Sequence, residues 1–232
     1  MTDINTMTKI DFSLYPEIVN FDSDHQNLTY AARNAVHRPT NWPASSKDSL
    51  WLEMGTATGR TAKIIQKSLP PNKMLYTFDC FSGLPEPWSS HKKGSFAQEP
   101  PDLDPSCIEI VEGLFEATLP LFLEKHKGPI SFLHIDCDLY SSTKTIFKYL
   151  KNRILPGTII VFDEIHGTIV NQDPEFNDEA RAFGEFVKEN NVRYKFFSKS
   201  RGNQASCMIL ALDHEVEHSG PTNTINKGDT NV

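Results

Sequence analysis

Four carboxylates stand at the ends of two apolar runs, and their placement suggests one kind of chemistry. Asp136 and Asp138 follow the run at 130–135, and Asp163 and Glu164 follow the run at 158–162. Side chains alternate faces along a strand, so Asp136 and Asp138 point the same way if the extended path continues. If the two runs are neighbouring strands, all four acids converge at one sheet edge. Their mutual repulsion is then costly unless a cation offsets it. Oxygen donors suit a hard divalent ion, and Mg²⁺ normally keeps several waters beside its protein ligands. The plainer alternative is a set of exposed helix-capping acids, since Asp138 directly precedes a helical pattern. His134 lies inside an apolar run and reads as a core residue or a neighbour of the ligands. His166 reads as a solvated loop residue, or as a base or metal neighbour.

A second constellation surrounds two glycines. The run at 49–54 contains Glu53, and Gly55 and Gly59 follow it, with Thr61 at the start of a helical pattern. Glycine permits backbone conformations and close ligand approach that a Cβ forbids. The free N–H groups of the helix start, with the Thr61 hydroxyl, can hold a carboxylate. A tight turn without a ligand is the alternative. Ala57 stands where the dinucleotide pattern G-x-G-x-x-G has its second glycine, which counts against a nicotinamide oxidoreductase. Asp79 follows the next run, where a carboxylate can accept a ribose diol, one hydroxyl per oxygen.

These residues need a scaffold that gathers strand ends. Apolar runs at 49–54, 74–78, 108–111, 130–135 and 158–162 alternate with helical patterns at about 60–66, 115–125, 140–154 and 177–190. Asn177 or Asp178 can cap the last of these helices. Two more runs, at 194–197 and 207–212, flank a Ser/Gly/Asn segment that reads as a hairpin. Five β-α units and a hairpin predict a three-layer, Rossmann-like α/β fold. Its sheet is expected to have seven mostly parallel strands, with one antiparallel strand near the edge. The Pro- and Gly-rich connection at about 81–107, with Trp88 and Phe96, is long enough to be a lid, or else an insertion. Polar, aperiodic tails at 1–15 and 213–232 bracket a single domain at 16–212.

Composition narrows the function classes. No apolar run approaches the roughly 18 residues of a membrane helix. The N-terminus lacks the order of a signal peptide, so the chain reads as cytoplasmic. A net charge of -7 argues against nucleic acid as a partner, because phosphate binding needs a basic face. The 4 cysteines show no paired spacing and read as reduced thiols.

Successive blocks of the chain resemble the macrocin O-methyltransferase-like family of class I S-adenosylmethionine methyltransferases. The blocks are LEMGTATG at 52–59, FDCFSGLPE at 78–86, VEGLFEATLP at 111–120, HIDCDLYSST at 134–143 and VFDE at 161–164. Several members act with Mg²⁺ on sugar hydroxyls of natural products. The resemblance implies that Gly55, Gly59 and Thr61 surround the methionine part of the cofactor, that Glu53 also belongs to the cofactor site, and that Asp79 holds the ribose. It implies that Gly113 and Leu114 lie against the adenine, with Asp136 also near the cofactor. Asp136, Asp163 and Glu164 match the metal positions, for Mg²⁺ or alternatively Mn²⁺, although relatives often carry Asp where Glu164 stands. Asp138 matches a general base, with His166 as the alternative. The acceptor is then a small-molecule hydroxyl, made acidic by the metal and deprotonated as the methyl moves. A catechol-type enzyme acting on an aromatic diol, a nicotinamide oxidoreductase and a non-catalytic cofactor-binding protein are the rival readings. Self-association into a homo-oligomer is left open.

Overall fold

The structure, a computed structural model, describes residues 10–166 and 178–212. Its strands are β1 (Val19–Phe21), β2 (Leu50–Met54), β3 (Leu75–Asp79), β4 (Ile108–Glu112), β5 (Ile130–Ile135), β6 (Ile159–Phe162), β7 (Arg193–Ser200) and β8 (Ala205–Ala211). They form one sheet in the order β1-β7-β8-β6-β5-β2-β3-β4. Only β8 runs against its neighbours, β6 and β7. The sheet therefore has eight strands where seven were expected, the extra one being β1, which adds in parallel to the edge strand β7.

The helices are α1 (Asp24–His37), α2 (Arg60–Gln66), α3 (Phe115–Lys125), α4 (Tyr140–Leu150) and α5 (Asp178–Glu189). No element was expected before residue 49, so α1 is new. Ser23 caps it by accepting from the Gln26 N–H. The connection between the second and third runs is irregular, as its Pro- and Gly-rich composition led one to expect. Helix α4 ends at Leu150 and passes through a 3₁₀ turn, so Ile154, expected within the helix, is buried beyond it. The expected tail at 1–15 is cut short: Ile10 is buried, and Phe12 packs edge-on against His166 and Phe196. Asn177 and the segment 213–232 lie outside the described residues.

Strands β2, β5 and β6 are buried along their whole length, as strands covered on both faces must be. Alternation divides their side chains between two apolar layers. Leu52, Met54, Leu133, Ile135, Ile160 and Phe162 share one layer with residues of α3, α4 and α5. Trp51, Phe132, Ile159 and Val161 share the other with residues of α1 and α2. The same period of two settles which way the polar residues at the strand ends point. Glu53 and His134 fall on the α1/α2 side, as does Asp163, while Glu164 falls on the α5 side.

Candidate active site

The carboxyl ends of β2, β3, β4 and β5 open on a cavity of about 340 Å³. Gly55, Asp79, Gly113, Leu114, Asp136 and Asp138 line it, as the sequence led one to expect. Asp79 organises the glycine turn: its Oδ2 accepts the N–H groups of Thr56 and Ala57 at 3.0 and 2.8 Å, and its Oδ1 accepts that of Phe81 at 2.9 Å. A carboxylate offers about four lone pairs, so one of them, on Oδ1, stays free for a ribose hydroxyl. Gly55 is required by its own chain, because a Cβ there would stand 1.7 Å from the Asp136 carbonyl oxygen. Gly59 faces Pro101 and Leu103 of the long connection instead of the cavity. Thr61 is buried in the first turn of α2 and does not line the cavity.

Glu53 also departs from its expected place at the cofactor. It is fully buried behind the cavity, accepting from Thr77 Oγ1 at 2.6 Å and lying 3.3 Å from His134 Nδ1. His134 Nε2 lies 3.6 Å from Asp163 Oδ1, a charge–charge contact too long for a hydrogen bond. Burial pulls the His134 pKa down, but the carboxylates of Asp163 and Glu53 outweigh it and lift the imidazole to about 10. An imidazolium thus bridges two acids inside the sheet. Asp163 answers in the opposite sense: burial raises its pKa, and His134 and Gln204 bring it below the usual carboxylate range.

The acids meet in two groups that share Asp136. In one, donor atoms of His134, Asp136 and Asp163 lie within 4.8 Å of one another; in the other, those of Asp136, Asp138 and Glu164 do. The split follows from geometry. Asp163 and Glu164 are consecutive and point to opposite sides. Asp138 leaves the extended path that would have aligned it with Asp136, at φ 63, and so reaches Glu164. Burial and the neighbouring negative charges push Asp136 and Asp138 up, and Glu164 up to about 11. Glu179 of α5, which the sequence did not single out, is a fifth acid beside them, and it is buried. Its Oε2 accepts the Glu164 N–H at 3.1 Å, and its Oε1 has no partner among the described residues. Nothing in the amphipathic pattern of α5 marks this one residue.

His166 stands apart from both acid groups. Its Nε2 is 3.0 Å from the Gln204 carbonyl oxygen, and its ring lies against Phe12. Burial lowers its pKa. It does not line the cavity, whereas Asp138 does. The long connection supplies the outer wall through Leu84, Glu86 and Phe96. Among the side-chain bonds that tie it down, Ser141 Oγ donates to Glu86 Oε1 at 2.6 Å, and Trp88 Nε1 donates to Asp178 Oδ2 at 3.0 Å.

Residues 52–165 match the family described as "Methyltransferase domain". No curated protein matches the chain. Among solved structures, the chain is similar to the calicheamicin methyltransferase CalS11, with 19% identity over 80% of this chain and 78% of that chain, at a TM-score of 0.60. A second, apo structure of CalS11, described as a TDP-rhamnose 3'-O-methyltransferase, shares 18% identity over 80% and 78% at a TM-score of 0.54. The O-methyltransferase NovP shares 14% identity over 81% and 79% at a TM-score of 0.58. These likenesses establish the fold as that of the Rossmann-like methyltransferases.

Proposed function

We propose that the chain, whose residues 52–165 match the methyltransferase-domain family, is an S-adenosylmethionine-dependent O-methyltransferase. Its acceptor is a hydroxyl of a sugar or glycosylated natural product, and it works with Mg²⁺, or alternatively Mn²⁺. The observation that carries this reading is that the glycine turn and two acids of the cluster share one cavity, with Gly55 and Asp79 beside Asp136 and Asp138, while Asp163 and Glu164 do not line it. That a protein of similar fold is described as a sugar-nucleotide O-methyltransferase supports the sugar.

The donor set fits a hard cation. It consists of carboxylate oxygens, Glu164 Oε2 is buried without a partner, and none of the ion pairs among the described residues joins Lys or Arg to these acids. Asp136, the acid common to both groups, would hold the ion together with Asp163 and Glu164, whose donor atoms fall in separate groups here and would have to close on the ion from either side of Asp136. Such an ion supplies charge that makes a neighbouring hydroxyl more acidic, as S-adenosylmethionine supplies the methyl group. Asp79 would accept a ribose hydroxyl on the Oδ1 lone pair its three amide donors leave free. Leu114, 42% exposed, offers apolar surface to the adenine. Asp138, whose raised pKa makes it the better proton acceptor, would take the acceptor's proton. The connection at 80–107 would act as a lid that keeps water from the reacting groups.

The test is methyl transfer from labelled S-adenosylmethionine to a panel of sugar nucleotides, TDP-rhamnose among them, and of aromatic diols, with Mg²⁺ or with excess chelator. Transfer to a sugar that chelator abolishes is expected. Full turnover in chelator would remove the ion, and transfer confined to aromatic diols would replace the sugar by a catechol-type acceptor.

A further inference from the structure

We propose that Gln204 positions Asp163 for the cation, and that Asn27 fixes the orientation of the Gln204 amide. The inference rests on the metal reading given above and concerns residues far from it in sequence. Gln204 Nε2 donates to Asp163 Oδ1 at 2.7 Å. A carboxylate can only accept, so the amide nitrogen must face Asp163 and the amide oxygen must face away. That oxygen accepts from Asn27 Nδ2 at 2.9 Å, and the same Nδ2 lies 3.0 Å from Ser206 Oγ. Asn27, Gln204 and Ser206 are all buried, so water cannot substitute for a lost partner without a cost.

The backbone of Gln204 is held as firmly. Its carbonyl accepts from the Ser200 N–H and lies 3.0 Å from His166 Nε2, which gives His166 a structural task at the β7–β8 turn. The device therefore runs from α1 through the turn to the tip of β6. It occupies Oδ1 of Asp163 from one side while His134 approaches the same oxygen from another. Oδ2 is the oxygen this arrangement leaves for a cation. Groups that orient a metal ligand in this way typically change metal affinity by about 10- to 100-fold when removed.

The experiment is titration of the full chain with Mn²⁺ alone, followed by the electron-spin signal of the free ion, for wild type, Gln204→Met and Asn27→Ala. S-adenosylhomocysteine affinity is measured in parallel to show that each variant is folded. Gln204→Met keeps the side-chain length and removes the donor, and is expected to weaken Mn²⁺ by about 10- to 100-fold with cofactor-product affinity unchanged. Asn27→Ala, which frees the amide to turn, is expected to weaken it less in the same direction. Mn²⁺ affinity within twofold of wild type in Gln204→Met overturns the proposal. If that variant fails to fold, wild-type Mn²⁺ affinity in Asn27→Ala overturns it instead. A wild-type protein that binds the cofactor product but no Mn²⁺ removes the metal reading itself, and this inference with it.

Discussion

Replacing Gly55 by alanine should damage the fold and the acid cluster together, whereas the same change at Gly59 should be tolerated. At Gly55 the new Cβ would lie 1.7 Å from the Asp136 carbonyl oxygen. Non-bonded carbon contacts settle near about 3.5–4.0 Å, so on that scale the two backbones would have to part by about 2 Å. That displacement breaks the bond from the Asp136 N–H to the Met54 carbonyl, now 2.8 Å long, and moves the acid common to both groups. The φ of 105 adds strain of about 1–3 kcal/mol for a residue with a side chain, and the buried hydrogen bond about 1–3 kcal/mol more. The sum, about 2–6 kcal/mol, is a large part of the roughly 5–15 kcal/mol that holds a domain together. At Gly59 the φ is 72 and the Cβ meets the end of the Leu103 side chain at 2.7 Å, which can swing away. About 1–2 kcal/mol for the left-handed backbone is then the main cost. Urea unfolding followed by circular dichroism measures both. A Gly55→Ala protein within 1 kcal/mol of wild type, or a Gly59→Ala protein harmed more, would refute the reasoning.

Stability without metal should fall as pH rises. His134 has its folded pKa lifted to about 10, so its contribution is complete below the ordinary value of 6.5 and is lost as pH climbs toward 10. Glu164, lifted to about 11, acts in the same sense, while the lowered pKa of Asp163 adds no slope in that window. Urea midpoints in chelator at pH 6.5 and at about 8.5 should show the decline, and a rise would contradict the buried imidazolium. Asp79→Ala should weaken S-adenosylhomocysteine by about 10- to 100-fold, the worth of hydrogen bonds to a charged group, by calorimetry. Unchanged affinity would detach Asp79 from the cofactor. Trp88→Phe, which loses the bond to Asp178, should speed hydrogen exchange across residues 80–107 about fivefold, as one bond of about 1 kcal/mol requires. Exchange at the wild-type rate would show that this bond does not hold the loop.

The central strands were legible because burial on both faces leaves uninterrupted apolar runs, and β5 ends at the residues read from its pattern. Helix α1 was not. Its buried stripe, Leu28, Ala31, Ala32 and Ala35, has helical spacing, but three alanines give little hydrophobic contrast. Strand β1 has three residues, two of them exposed, and pairs only with an edge strand formed far along the chain. In the site, the acids were visible because they stand directly after strand runs. Their division into two groups was not, since it depends on the left-handed turn at Asp138 and on Asp163 and Glu164 facing opposite layers. Glu179 and Gln204 join the site from α5 and the β7–β8 turn, contacts that no local pattern encodes. Glu53 misled because its block matches the cofactor region while its side chain turns inward to Thr77 and His134.

Anomalous diffraction from crystals soaked with Mn²⁺ and S-adenosylhomocysteine would put the shared cavity to the sharpest test. The expected result is a single anomalous peak held by Asp136, Asp163 and Glu164, with the cofactor product resting against Gly55 and Asp79. Bound product with no peak among those carboxylates, their side chains turned away from one another, would contradict it.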